Sequence, residues 1–301
     1  MLGFLNLNKP KNWTSHDCVA KVRRLLKIRK VGHGGTLDPL ATGVLPIAVG
    51  KATRLISYLP HRKAYQAKVR FGIQTATDDL EGEILKTCSA SELTLDKITP
   101  YLPQFLGIIE QIPPQYSAIQ RDGQRLYDLA RQGKMVEVPS RRVEIFDMQV
   151  LRWQEGEFPE LDLSIRCGEG TYIRAIARDL GELLGVGATL ARLIRTESGG
   201  MELANSITLE ELADRVESQD FGLTSPQTVL TDLPKILLDA ETAQRWCQGQ
   251  KIAVTEREFV LNLPFRVLQE DGTLLGIGEI AEVETINRLI PKVVLEPFVT
   301  R

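Results

Sequence analysis

The sequence predicts an α+β protein with a mixed, largely antiparallel sheet and flanking helices, followed by a small β-rich C-terminal domain. Three observations predict it. Strand-like stretches alternate polar with apolar residues, helical periodicity returns only at irregular intervals, and the texture changes near residues 219–235. Alternation marks strands with one wetted face, which antiparallel sheets tolerate and doubly wound parallel sheets do not. The 301 residues leave room for two domains, and the expected division is 1–230 and 231–301.

In chain order, the opening MLGFLNLNKP reads as a first strand ending at Asn8-Lys9-Pro10. Thr14 or Ser15 can cap a helix running to about Lys27, with Val19, Val22, Leu25 and Leu26 on its apolar side. A glycine-rich loop follows from Gly32 to Pro39, then an apolar run from Val44 to Val49 that reads as a buried strand. Tyr65, Ala67, Val69 and Phe71 share one face of an alternating strand whose other face is cationic. Leu161, Leu163, Ile165 and Cys167 repeat that pattern. Ile173, Ile176, Ala177, Leu180 and Leu184 form a helical stripe after a Gly168-Glu169-Gly170-Thr171 entry. Beyond Pro234 come a short helix around Ala240–Cys247 and strands joined by an Asp271-Gly272 hairpin turn.

Composition removes several functions. Hydrophobic residues make up 43% and charged residues 25%, ordinary values for a globular chain, and no apolar run suffices to span a bilayer. The opening lacks a basic segment followed by an apolar one, so a cytoplasmic protein without membrane association is expected. Four scattered cysteines form no CxxC pair, and His16, His33 and His61 form no HExxH, so no metal site is expected. The chain has neither the GxxxxGK[ST] order of a P-loop nor a GxSxG elbow.

The net charge of −2 conceals an asymmetry: residues 1–70 carry fourteen Lys/Arg against only Asp17 and Asp38. A polyanion responds to the local field, so this segment suits nucleic acid, although a solvated face neutralised by acidic neighbours would read the same.

Four residues could carry chemistry, each with a plainer alternative. Asp38, before Pro39, can cap a helical turn; set among Leu37, Leu40, Val44 and Leu45 and beside glycines, it can also serve as nucleophile or base. Arg174 falls in the first turn of a helix, where a cation opposes the dipole unless it pairs with an anion; an exposed arginine is the alternative. Tyr65 is either a core tyrosine or a stacking partner for a flipped base. His33 is either a loop histidine or part of a site. On residues alone the reading stops at an RNA-binding α+β protein with a carboxylate in a glycine-rich loop.

Gly32-His-Gly-Gly-Thr-Leu-Asp38-Pro-Leu-Ala-Thr-Gly-Val-Leu-Pro46 resembles the catalytic motif of the TruB family of tRNA pseudouridine synthases, shared in part with their dyskerin relatives. Lys9-Pro10 with Thr14-Ser15, Lys63-Ala64-Tyr65, Thr77-Asp78-Asp79 with Glu81-Gly82, Pro113 to Ala118 with Gly123, Arg125, Tyr127 and Ala130-Arg131, and Cys167 to Arg174 follow in family order. The resemblance implies the pseudouridine synthase fold and isomerisation of the T-loop uridine at tRNA position 55. It implies Asp38 as catalytic aspartate, Tyr65 as the tyrosine that stacks on the base and serves late proton removal, and Arg174 as the partner of the aspartate. His33, Tyr172 and Leu193 match residues that contact the flipped-out RNA, and Lys9 a supporting lysine grouped with them in substrate binding. The implied protein is a monomer acting on the tRNA T-arm without cofactor, metal, guide RNA or obligate protein partner. A non-catalytic RNA-binding scaffold or tRNA chaperone is the alternative. Asn12 stands where the family has glycine and Gln120 where it has lysine. The C-terminal domain resembles a PUA-type module more loosely, through the Gly272 turn and Gly276-Ile277-Gly278.

Overall fold

In the computed structural model the described residues are 1–116, 138–254, 260–283 and 285–295, with the backbone of 120–121 and 124–125. Strand β1 (Leu2–Lys9) buries Phe4, Leu5 and Leu7. Helix α1 (Ser15–Leu26) begins at Thr14, whose side chain and that of Asp17 cap each other's backbone, and ends at Lys27 in the left-handed region. Its Cys18, Val19, Val22 and Leu26 pack on Leu5, Leu7 and Leu45, while Leu25 is only partly covered. Then come β2 (Val31–His33), β3 (Thr42–Gly50), β4 (Lys63–Phe71), the hairpin β5 (Ile73–Thr75) with β6 (Ile84–Thr87), and β7 (Gly107–Gln111). The short pair β8 (Gln120–Arg121) and β9 (Gln124–Arg125) precedes β10 (Arg141–Gln154) and β11 (Glu160–Cys167). Helix α2 (Ile173–Leu183), β12 (Ala188–Ser198), β13 (Met201–Glu202) and α3 (Leu209–Glu217) complete the first region. Ser117, Ala118, Gly123, Tyr127, Ala130 and Arg131 of the fifth motif lie outside the described residues, as do the side chains of Gln120 and Arg125.

Nine strands form one sheet in the order β1-β3-β12-β4-β11-β10-β7, with β2 on β3 and β13 on β12. Among the described residues every pairing in it is antiparallel except β3 with β12, joined through Thr42 with Ile194 and Gly43 with Arg195. The mixed, largely antiparallel sheet is therefore as expected. The alternation on β4 and β11 comes out as one buried face: Leu161, Leu163, Ile165 and Cys167 are fully enclosed with Val69 and Phe71 under Ile176, Ala177 and Leu180 of α2. Each such aliphatic side chain contributes ~1.5–3 kcal/mol by leaving water.

A second sheet holds β14 (Lys235–Leu238), β15 (Ile252–Ala253), β16 (Pro264–Gln269), β17 (Leu274–Val283) and β18 (Ile286–Val294), ordered β14-β16-β17-β18-β15. Helix α4 (Ala240–Cys247) buries Trp246 against it. The hairpin turn forms as expected: Gly272 takes φ 87° and Asp271 Oδ1 accepts from Thr273 N at 2.8 Å. This sheet shares a core with the first, since Ile277, Val293 and Leu295 pack with Phe4, Val44 and Leu55.

The cationic face expected on β4 is not free. Glu160 of β11 accepts from Lys68 at 2.6 Å and from Arg70 at 2.6 Å, and Asp162 lies 3.5 Å from Lys68. These cations bind neighbouring strands together.

A candidate active site around Asp38

The Asp38 loop links β2 to β3, and its backbone is fastened on both sides of the carboxylate. Ser15, the first residue of α1, donates to Leu37 O at 3.1 Å and accepts from Leu37 N at 2.8 Å. Pro39 O accepts from Asn12 N at 2.8 Å and from Lys9 Nζ at 3.3 Å. Lys9 is fully buried, and its other two acceptors are Trp13 O and Pro10 O. Burial lowers its pKa to about 8. Its ammonium thus ties the first motif to the loop and does not reach the cleft wall. Asn12 takes φ 65°, the left-handed conformation its glycine counterpart suggests and asparagine tolerates.

From the opposite side, Arg195 of β12 enters the sheet fully buried. Its Nε donates to Val44 O at 2.7 Å, Nη1 to Thr36 O at 3.2 Å and Nη2 to Gly35 O at 3.1 Å. Gly43 sits against the Arg195 backbone at φ 101°, where any Cβ would overlap the Arg195 carbonyl. Glycine at that position permits the one parallel pairing of the sheet, and with it the seam that carries the loop.

Helix α2 delivers Arg174 from the other wall. Its Nε lies 3.1 Å from Asp38 Oδ2, while the guanidinium tips donate to Thr77 O at 2.9 Å and Tyr116 O at 3.0 Å. Asp79, itself buried, stands 3.6 Å from Nη1. A cation in the first turn of a helix is therefore explained by two carboxylates and two carbonyls. Arg174 is enclosed, whereas 39% of the Asp38 side chain remains accessible. That opening faces a cleft lined by Thr36, Leu37, Asp38, Lys63, Tyr65, Leu193 and residues 170–174.

Electrostatics in the cleft oppose one another. Burial pushes the Asp38 carboxyl above the usual carboxylate range, Arg174 pulls it down, and Asp79 pushes it up again. Burial raises the Tyr65 phenol, and the Arg195 guanidinium facing it works in the other direction. His33 is held below its ordinary value by burial and by Arg195.

Of the residues singled out in the sequence, Asp38, Tyr65, Arg174, Tyr172 and Leu193 converge on this cleft. His33 is half-buried at the loop's start, its Nδ1 near Gly35 N at 3.4 Å, and is not part of the wall. Tyr172 stands at the N-terminus of α2 with Arg141 5.8 Å above its ring. Three participants were not singled out: Asp79, Arg195 and Lys63. Asp79 lay within a motif already noted. Arg195 was signalled only as a charge in the apolar company of Leu193 and Ile194.

Residues 23–173 match the TruB family pseudouridylate synthase N-terminal domain. Residues 174–244 match the tRNA pseudouridylate synthase B C-terminal domain, and 234–295 the pseudouridine synthase II TruB C-terminal domain. This chain belongs to the TruB family of pseudouridine synthases. Similar TruB relatives include a tRNA pseudouridine synthase B of Gloeothece citriformis, 59% identical over 98% of this chain and 97% of its own length. One from Nostoc sp. is 55% identical over 99% of this chain and 100% of its own. Among solved structures, a Cbf5-Nop10-Gar1 complex matches with TM-score 0.76 and 27% identity over 98% of this chain and 85% of that one. The family match agrees with the pseudouridine synthase fold expected from the catalytic motif. No helix among the described residues of this TruB-family chain is long and apolar enough to cross a membrane.

Proposed function

We propose that the chain isomerises the T-loop uridine at position 55 of tRNA to pseudouridine, with Asp38 as the catalytic carboxylate. One observation carries the assignment: the Asp38 carboxylate is clamped on both flanks, paired with Arg174 at 3.1 Å, and open to a cleft that Tyr65 also lines. The reaction breaks the N1–C1′ bond, turns the base and closes a C5–C1′ bond; C5 loses a proton and N1 gains one, so the isomerisation balances within one nucleotide. A uridine stacked in a loop cannot reach the carboxylate, so it is extruded at a cost of a few kcal/mol. Stacking on Tyr65 and Tyr172 and phosphate contacts offset that cost.

In this account Arg174 keeps Asp38 ionised against the burial that favours its neutral form, and orients it. Asp79 and the carbonyls of Thr77 and Tyr116 hold Arg174 in place. Tyr65, with Arg195 beside its hydroxyl, is placed to take the C5 proton late in the reaction. Leu193 and Tyr172 complete the wall around the base, with His33 nearer the rim and Lys9 as a support from below. Residues 1–230 form the catalytic domain and 231–301 a PUA-like module that extends the RNA contact. The chain acts as a monomer in the cytoplasm, without guide RNA, metal or organic cofactor.

Purified protein alone, given a T-arm transcript labelled with tritium at uridine C5, should release tritium from position 55 and from no other uridine. Replacing that uridine with cytidine should abolish release. Binding without release would favour a scaffold or chaperone, and release only on addition of guide RNA and proteins would favour a guided enzyme.

A further inference from the structure

Lys9 and Lys63 stand near the Asp38 loop, and among the described residues Lys9 has its acceptors and Lys63 has none. Lys9 donates to three carbonyls. Lys63, the first residue of β4, lines the cleft half-buried, and among the described residues no acceptor lies within hydrogen-bond reach of its ammonium. The acids nearby are engaged elsewhere. Glu169 pairs with His61 at 2.8 Å, and Asp38 pairs with Arg174. Lys63 also has a cation for a neighbour: a methyl group built on Gly35 would lie 3.7 Å from Arg195 Nη1 and 3.8 Å from Lys63 Nζ. Arg195 is spent on the carbonyls of Val44, Thr36 and Gly35, whereas Lys63 is not.

A partly desolvated ammonium beside a like charge is costly unless an anion arrives. Burial and Arg195 depress its proton affinity while Cys167 and Glu169 act weakly the other way, and an anion in contact would offset the depression. The ligand class narrows because the site accepts RNA on the reading proposed above. The uracil ring is neutral, and RNA carries its anionic charge on its phosphodiesters.

We propose that Lys63 seats a phosphodiester flanking the extruded uridine, fixing how deeply the nucleotide enters towards Asp38. Lys63 is then a positioning residue: it holds the backbone of the substrate while Asp38 and Tyr65 face the base. The glycine at position 35 keeps the space over the two cations open, and any side chain there would occupy the phosphate's approach.

The test pairs a protein change with a substrate change. Equilibrium binding and single-turnover tritium release are measured across a salt series for wild type, Lys63→Met and Lys63→Arg. The substrates are natural T-arm RNA and T-arm RNAs carrying an uncharged methylphosphonate 5′ or 3′ of the target uridine. Lys63→Met should weaken natural RNA about tenfold and lower the slope of log affinity against log salt by about one. One of the two methylphosphonates should weaken wild type by a similar factor and leave Lys63→Met unaffected, while Lys63→Arg keeps most of the affinity. Loss of the maximal rate with unchanged affinity and salt slope would assign the charge to the base and overturn the proposal. So would a wild type indifferent to both methylphosphonates, a result that requires no variant to fold. Failure of wild type to release tritium from natural RNA would instead strike the parent reading.

Discussion

The basic N-terminal segment divides into two parts that a charge count cannot separate. On β4, Lys68 and Arg70 meet Glu160 and Asp162 across the strand, so their charge holds the sheet together. On α1 and the turn after it, Lys21, Arg24, Lys27 and Lys30 have no ion-pair partner among the described residues. Arg23 there is tied to the backbone instead, donating to Val31 O at 2.8 Å. A cationic sequence can serve as a nucleic-acid footprint only where the fold withholds counter-charges. The same contrast recurs inside the cleft, between Arg174 with its carboxylates and Lys63, which among the described residues has no carboxylate in ion-pair contact.

Among the cations, the largest effect should follow from breaking the paired one of the cleft. Arg174→Gln should lower the maximal rate of tritium release roughly 10²- to 10³-fold, the usual loss for one preorganised electrostatic partner. Its pH dependence carries a sign. The Asp38 pKa lies above the ordinary carboxylate value, and Arg174 acts to lower it. Activity that requires the carboxylate therefore falls as pH drops through that raised pKa. Without Arg174 the fall should begin at higher pH. A pH–rate profile that loses height without moving its acid limb would assign Arg174 a purely steric part.

The unpaired cations of α1 come next. Lys21→Glu with Arg24→Glu and Lys27→Glu should weaken tRNA binding by about tenfold or more and flatten its salt dependence by about two to three units of slope. The maximal rate at saturating tRNA should hold, since none of the three lines the cleft. An unchanged salt slope would place the footprint elsewhere.

The smallest functional effect belongs to the paired cations of β4. Glu160→Gln leaves Lys68 and Arg70 without their main partner, which should cost about 1–3 kcal/mol of stability, seen in thermal or denaturant unfolding. tRNA affinity should stay level or rise slightly as the two charges become free. A large loss of affinity with unchanged stability would erase the distinction between the two parts.

What the sequence disclosed followed from local rules. Alternation at Tyr65–Phe71 and Leu161–Cys167 placed two central strands, and Thr14, Lys27 and the 173–184 stripe bounded two helices close to their observed ends. The helix α3 had an unread signal, the Thr208 and Glu211 capping box. Strand β2 was hidden because a three-residue strand beside glycines reads as loop. The 3₁₀ segment Lys51–Tyr58 had no counterpart in the reading, since such turns lack the 3.6-residue stripe. For the site, Asp38 stood out from its neighbours, but its pairing with Arg174 spans 136 positions and came only from resemblance. Arg195, in β12, and Asp79, in the turn between β5 and β6, escaped because a buried charge is meaningful only once its partners elsewhere in the fold are known. The parallel β3–β12 seam that brings Arg195 to the loop is a topological fact that periodicity does not encode.

On the proposed function, the ionised oxygen pair of Asp38, exposed to the cleft, performs the isomerisation. Asp38→Asn keeps the shape of the side chain and removes its charge. Single-turnover tritium release from T-arm RNA by this purified variant, with RNA binding followed in parallel, tests the claim most directly. Release should fall about 10³-fold or more while RNA is still bound. Release near the wild-type rate would contradict the assignment, whatever the geometry around it.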